Sequence, residues 1–351
     1  MFGRRENLVG LDIGSHTVKV VQVSTASTPM SLLNVGLASV PPEAFVEGRV
    51  SKAELVARSV QQLVSHLKIK DKSVASSISG YEVMIKKIEM PTMSEDELTN
   101  RMQIELGQYI PYNIEEVDVD YQILDVAKDR PNFMDVLLVA AKKESVADHV
   151  GLIKMAGLDP VIIDVDYFAL GNAFEATYGL KDNETVALLD IGASKAIMSI
   201  LSRGVPIFTR GISMGGYQIT DRIRDRFKLS QEEAEQAKLS DGSTELPKKE
   251  LEEIVVSAVL KWVRELRRAI DFYYSNFPDN RIDKVFLSGG SCRIAGLDRV
   301  FRNDLDIEVE IFNPLARMEY DTKAFDPDYI SYIGPQMAVA LGLALRKAGE
   351  K

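Results

Sequence analysis

Two widely separated stretches of this 351-residue chain repeat one pattern: Leu8 to Ser15 reads LVGLDIGS and Val186 to Ala193 reads VALLDIGA. In each, an apolar strand runs into Asp-Ile-Gly, then a small residue, then a second apolar strand. That is the signature of a strand hairpin, over Leu8 to Ser24 and again over Val186 to Leu201. A separation this long marks a duplicated domain, since solenoid repeats recur at far shorter periods. The chain is also too long for one simple core, so two related halves are expected.

The repeated turn carries a definite chemistry. Gly14 and Gly192 permit a bend with no side chain over it, so backbone N–H groups can approach phosphate oxygens. Ser15, Thr17, Ser194 and Lys195 offer further donors, and Asp12 and Asp190 sit at strand ends where carboxylates hold a magnesium ion through its waters. A third element, Val285 to Ser291 (VFLSGGS), is a buried strand running into two glycines, which bring backbone close to a flat ligand such as adenine and its ribose. A lone Asp-x-Gly is an ordinary turn. Two of them in matching hairpins, followed by the Gly289-Gly290 turn, point to a nucleotide triphosphate clamped from both sides.

Composition narrows the class. Hydrophobic residues at 46% and charged residues at 27% belong to a folded globular protein, not a disordered one. A net charge of -10 disfavours general attraction to nucleic acid or anionic lipid. Arg264, Arg267 and Arg268 then read as a solvated helix face. Cys292 stands alone, which rules out an internal disulfide and a cysteine-based zinc site. It reads as a small packing residue, and His16, His66 and His149 as solvated or packing residues. The basic start, Met1 to Arg5, lacks the apolar stretch of a signal peptide, and no segment approaches the roughly 20 apolar residues of a spanning helix.

Between the repeats, the pattern predicts a strand over Ser31 to Val40, a helix over Lys52 to Lys68 and a strand over Val74 to Ser79 ending at Gly80. Ser94 caps a helix whose first turn holds Glu95, Asp96 and Glu97, and Pro111 ends it. Strands at Val117 to Val126 and Phe133 to Ala140 and a helix over Ser145 to Ala156 follow. Residues 89–157 thus read as a small α+β module inserted into the larger fold. After the second hairpin come a strand over Val205 to Arg210 and helical, charged sequence over 216–276. Its apolar stripe is Leu251, Ile254, Ala258, Trp262, Leu266, Ile270 and Tyr273. The strand Lys284 to Ser288 and a helix over Pro335 to Lys347 close the chain.

The order of Asp-Ile-Gly hairpin, second Asp-Ile-Gly hairpin and late Gly-Gly turn resembles the actin, Hsp70 and sugar-kinase superfamily. Within it, the chain is more similar to the bacterial branch that includes FtsA, and it resembles most the PilM family of actin-like assembly proteins of type IV pili. The residues behind this are the opening Leu8 to Val20 (LVGLDIGSHTVKV), Val161 to Leu170 (VIIDVDYFAL), Gly211 to Thr220 (GISMGGYQIT) and Glu232 to Lys238 (EEAEQAK). The resemblance implies an α/β, actin-like ATPase fold of duplicated ribonuclease H-like halves, with an inserted FtsA-type small α+β subdomain. The first half would take 1–88, the insert 89–157 and the return to the first half 158–184. The second half would take 185–215 and 284–334, its helical subdomain 216–283, and the helix packing back on the first half 335–351.

By matching position, the resemblance implies that Asp12, Gly14, Ser15, Thr17 and Lys19 form the first phosphate loop and Asp190, Gly192, Ala193 and Ser194 the second. Gly215 and Gly216 would lie near the phosphates, Glu235 and Lys238 beside the ribose and adenine, and Gly289, Gly290 and Ser291 at the adenosine turn. The implied cofactors are ATP or ADP with Mg2+, the ion held by Asp12 and Asp190 through water. Asp166 stands where hydrolysing relatives place a Gln or Glu that positions the attacking water. Its shorter reach, with Ala193-Ser194-Lys195 in place of Gly-Gly-Thr, favours a switch with slow or no ATP hydrolysis.

The implied partner is the cytoplasmic N-terminal peptide of a PilN-like inner-membrane protein. PilO- and PilP-like proteins and motor ATPases would be engaged indirectly, in a pilus or a type II secretion machine. The last residues, Ala344 to Lys351, lack the membrane-binding tail that ends FtsA, so the expected location is the cytoplasmic face of the inner membrane, reached through partners. Neither nucleic acid nor direct membrane insertion is expected, and self-association is allowed. Two alternatives remain: a polymerising FtsA- or MreB-like protein, and a small-molecule kinase of the same superfamily, for which no sugar-binding cluster surrounds Asp166.

Overall fold

The two hairpins become the centres of two sheets with one strand order. In the computed structural model, which describes residues 8–78, 83–126, 132–179, 181, 184–240 and 244–348, β1 (Val9–Ile13) pairs antiparallel with β2 (Thr17–Ser24), and β2 with β3 (Ser31–Ser39). The small ribbon of β4 (Phe45–Val46) and β5 (Arg49–Val50) and helix α1 (Ala53–His66) lead into β6 (Ser73–Ile78), which lies parallel to β1. Of the strand expected over Val74 to Ser79, the last residue and Gly80 lie outside the described residues, as do Met1 to Arg5 and Gly349 to Lys351.

The chain then builds β7 (Val83–Pro91), α2 (Glu95–Tyr109), β8 (Val117–Val126) and β9 (Phe133–Lys142), a three-stranded sheet of order β7-β9-β8. Ser94 accepts from the Glu97 backbone N–H while Glu97 reaches back to the Ser94 N–H, a complete capping box. Leu98 and Met102 bury against Met90, Met134, Val136 and Leu138 as a separate small core. The leading strand of the insert, expected from about residue 89, begins earlier, at Val83, a start that Lys86, Lys87 and Glu89 hide by breaking its apolar run where the strand faces solvent. Helix α3 (Lys143–Met155) departs from the insert: Leu152 and Ile153 join the core of the first half, beside Val56, Val60 and Leu63 of α1. Strand β10 (Asp159–Val165) then pairs parallel with β6, and α4 (Asp166–Tyr178) follows without a break.

In the second half, β11 (Thr185–Ile191), β12 (Ala196–Ser202) and β13 (Val205–Ile212) form the antiparallel meander. Helices α5 (Tyr217–Phe227), α6 (Gln231–Leu239) and α7 (Lys248–Asn276) intervene before β14 (Lys284–Ser288), α8 (Leu297–Leu305) and β15 (Glu308–Ile311) complete the sheet. The orders β10-β6-β1-β2-β3 and β15-β14-β11-β12-β13 match strand for strand, with parallel and antiparallel pairs in the same places. Trp262, Leu266, Ile270 and Tyr273 of the α7 stripe are buried against this sheet. Arg264, Arg267 and Arg268 point outward, Arg268 pairing with Glu265 at 2.7 Å.

Helices α9 (Pro327–Ile333) and α10 (Ala338–Ala344) close the described chain. The helix expected over Pro335 to Lys347 is shorter: Gly334–Met337 is a 3-10 turn, as suits a proline without an N–H. Helix α10 lies against β1 and α4, where a β-carbon on Gly10 would strike the Ala340 carbonyl and one on Gly342 the Ala169 carbonyl. Only glycines let these backbones come so close. Among the described residues no helix is long and apolar enough to cross a membrane.

Candidate functional site

Both Asp-Ile-Gly turns close with the same hydrogen bond. The Gly14 N–H donates to the Thr17 carbonyl at 3.1 Å, and the Gly192 N–H to the Lys195 carbonyl at 3.0 Å. The two sheets set these turns face to face, and Ser15 Oγ lies 2.7 Å from Ser194 Oγ.

Behind the turns three carboxylates surround one ammonium. Lys19, opposite Asp12 in the β1–β2 register, bonds Asp12 Oδ2 at 2.7 Å with both side chains largely buried. Burial alone would lower Lys19, but Asp12, and then Asp190 and Asp166, more than reverse it and its pKa is raised. Asp190 accepts from Ser288 Oγ at 2.9 Å. Its burial, aided by Asp12 and Asp166 against Lys19 and Ser288, pushes it up to about 6. Asp166, the first residue of α4, accepts from Ser77 Oγ at 2.6 Å. Beside it His149 Nε2 meets Ser76 Oγ at 2.8 Å; that hydroxyl donates to the Leu11 carbonyl, so the imidazole N–H is the donor. Burial lowers His149 to about 4, only partly offset by Asp166.

The second half supplies the rest of the cleft wall. Glu235 and Lys238 pair at 2.7 Å one turn apart on α6, and Thr220 Oγ1 donates to the same carboxylate oxygen at 2.7 Å. Burial works to raise Glu235, and Lys238 and Thr220 overcome it, so its carboxyl is held low. A β-carbon on Gly216 would stand 2.8 Å from Lys238 Nζ and 2.9 Å from Ser291 Oγ, and one on Gly215 would strike the Ala193 carbonyl. Gly289 has φ +90°, with the Ile191 backbone directly over its missing side chain. Ser291 Oγ and the Gly216 N–H both donate to the Gly192 carbonyl at 3.0 Å. The glycine turns, the second phosphate turn and the Glu235–Lys238 pair therefore form one wall.

The structure brings Asp12, Gly14, Ser15, Lys19, Asp166, Asp190, Gly192, Ala193, Ser194, Gly215, Gly216, Glu235, Lys238, Gly289 and Ser291 together around these turns. Side-chain partners were not legible in the sequence: Ser288 and Thr220 lie inside motif stretches with no role attached, Ser77 lies in none, and their bonds are found only through register and packing. His16, read as solvated or packing, sits across the cleft, its Nδ1 3.3 Å from the Tyr217 hydroxyl. Arg293, just past the Gly289-Gly290 turn, lies 4.8 Å over the Tyr332 ring and close enough to bias both His16 and Lys238. Cys292 is buried and donates to the Ser288 carbonyl at 2.9 Å, a packing role. The carboxylates are hard oxygen donors, yet among the described residues no three His, Cys, Asp or Glu side chains are grouped to hold a metal ion themselves.

The sequence model of the family described as Type IV pilus assembly protein PilM matches residues 10–348. Cell division protein FtsA of Bacillus subtilis (strain 168) is 22% identical over 266 residues, 68% of this chain, and the chain spans 58% of that relative's length. A solved structure described as the PilM-PilN type IV pilus biogenesis complex superposes with a TM-score of 0.85 at 28% identity, covering 98% of this chain and 99% of that one. MreB5 of Spiroplasma citri bound to ADP superposes with a TM-score of 0.53 at 13% identity, covering 95% and 94%. The fold is thus the actin-like ATPase fold with duplicated halves and an FtsA-type insert, as the sequence resemblance implied.

Proposed function

The chain belongs to the PilM family of type IV pilus assembly proteins, and on that footing we propose that it is an ATP-binding adaptor that recruits the cytoplasmic N-terminus of a PilN-like inner-membrane protein. The observation that carries the nucleotide part is the meeting of the two glycine turns, Ser15 against Ser194 at 2.7 Å, with the Gly215-Gly216 and Gly289 turns cleared of side chains alongside. Backbone N–H groups of both turns, with Ser15, Thr17 and Ser194, bind phosphate oxygens from two sides. Lys19 adds positive charge to the first side. Glu235, Lys238 and Ser291 bind the nucleoside end, and Gly216 lets Lys238 and Ser291 close over its backbone. Asp12 and Asp190 would hold a magnesium ion, which when bound would neutralise phosphate charge.

Turnover is slow or absent in this reading. Asp166 is a short side chain already tied to Ser77, and the second turn spends its Gly192 and Ala193 carbonyls on seating Gly216 and Tyr217. ATP then serves as a conformational ligand rather than a fuel. The likeness to the PilM-PilN complex supports partner engagement; in this reading the protein works at the cytoplasmic face of the inner membrane and meets other pilus components indirectly. A polymerising or kinase role has no comparable support.

Two measurements test this. With millimolar ATP and magnesium the melting temperature should rise, because a ligand of the native state stabilises it by mass action; a flat melting temperature would remove the nucleotide claim. Immobilised N-terminal peptides of PilN-like proteins should retain the purified chain saturably, and retention by none of them would remove the adaptor claim.

A further inference from the structure

On the phosphate side of the cleft the two halves touch through one aromatic residue more than the duplicated turns require. The Tyr217 hydroxyl donates to the Ser15 carbonyl at 3.2 Å and lies 3.3 Å from His16 Nδ1, with the two rings edge-on at 5.8 Å. A phenol has one proton to give. Donated to Ser15, it leaves the oxygen to accept from the imidazole N–H. Burial, with Glu235 and Asp221, raises Tyr217 to about 12, and burial lowers His16, so a neutral phenol faces a neutral imidazole at pH 7.

Tyr217 is fixed to its own half. It opens α5, and its N–H donates to the Ala193 carbonyl at 2.8 Å while the Gly216 N–H holds Gly192. Next to it, Gln218 accepts from Trp262 Nε1 at 2.8 Å. The phenol is therefore carried by the second half, and its tip ends on the first turn of the other half. The β4–β5 tip reaches the same place, where a β-carbon on Gly48 would meet only Ser194 Cβ, at 3.7 Å.

We propose that Tyr217 is a cross-cleft latch: its hydroxyl holds Ser15 and His16 against the second half and sets how often the cleft opens. The consequence for nucleotide rests on the reading above; the latch itself does not. Phosphates arriving between the turns must part Ser15 from Ser194, and the Tyr217 bond to the Ser15 carbonyl restrains how far the turns separate.

The test uses the full chain without nucleotide. Spin labels at Glu54→Cys on α1 and Lys261→Cys on α7, both exposed, report the separation of the halves, while Cys292 is buried. Tyr217→Phe removes only the hydroxyl and should widen the distance distribution toward longer separations. His16→Ala should shift it the same way. Emission of Trp262, the single tryptophan, should stay unchanged in both and show that α5 remains seated. With a fluorescent ATP analogue, association and dissociation should each quicken about tenfold, the equivalent of one or two lost hydrogen bonds. Distance distributions equal to the parent's in both variants would overturn the latch. A parent chain that binds no nucleotide would sink the proposed function instead, and the distance measurement would still decide the latch.

Discussion

The two Asp-Ile-Gly turns share a backbone and differ in what surrounds their acids. Opposite Asp12 on the partner strand is Lys19; opposite Asp190, at the same register, is Ile197, buried in the core. The serine on the neighbouring parallel strand differs as well. Ser288 donates to Asp190, while Ser77, one residue past the Leu11–Ser76 pair, donates to Asp166. Duplication thus produced two equal turns but one counter-ion, and the second acid is kept in place by a hydroxyl and by a lysine from the other half. Asp12 has the Lys19 ammonium bonded directly to it, and Asp190 is left half inclined to hold a proton at pH 6.

Removing Lys19 should break this comparison most. Lys19→Met strips the only ammonium from among Asp12, Asp166 and Asp190, and urea unfolding at pH 7 should show a loss of about 3–5 kcal/mol, as for a broken buried pair. A loss below about 1 kcal/mol would mean that the cluster is solvated and the two acids are alike.

Acid titration comes next. Asp190 is raised from 3.8 to about 6, so the folded state binds its proton more tightly than the unfolded chain does, and stability falls as pH rises through that window. His149 is lowered from 6.5 to about 4, so its folded state resists protonation, and stability rises with pH over nearly the same window. Each is worth at most about 3 kcal/mol, and the parent profile should be nearly flat where they oppose. Asp190→Asn should expose a rising profile between pH 4 and 6.5, and His149→Gln a falling one. Identical profiles for the two variants would refute the assignment.

The same substitution in the two copies should have opposite signs at pH 7 without nucleotide. Asp12→Asn takes the bonded carboxylate from Lys19 but leaves it Asp190 and Asp166, so it should cost less than the roughly 3–5 kcal/mol of a fully broken buried pair, about 1–3 kcal/mol. Asp190→Asn relieves a buried charge and keeps an acceptor for Ser288, so it should gain about 1–2 kcal/mol. Thermal or urea unfolding of the pair decides it, and equal losses would show that the halves are electrostatically equivalent. Ser288→Ala should give the smallest effect, about 1 kcal/mol at pH 7, and should move the Asp190 titration to higher pH.

The repeat, the alternation of strands and helices, the Ser94 cap and the α7 stripe were legible because local periodicity and turn chemistry encode them. The start of strand β7 was not, since its solvent-facing lysines hide the apolar face it turns to the insert's core. Nor was the return of α3 to the first half, because periodicity shows that a helix has an apolar face but not which core receives it. Asp166, Gly215, Gly216 and Glu235 came only from the family resemblance, whereas Asp12, Gly14, Asp190, Gly192, Gly289 and Gly290 could be named because each turn needs its residue types at fixed spacing. Ser77, Ser288, Thr220, His16 and Tyr217 could not, because a lone polar residue gains its role from a partner far along the chain.

By itself, then, the sequence determined a duplicated α/β chain with two phosphate-type turns and a late glycine turn, since those follow from short-range backbone demands. Only the tertiary structure decided that one lysine answers for three carboxylates, and that Tyr217 of one half closes on Ser15 and His16 of the other. Both depend on how two similar sheets face each other, and charge and hydrogen bonding act through that distance, not through position in the chain.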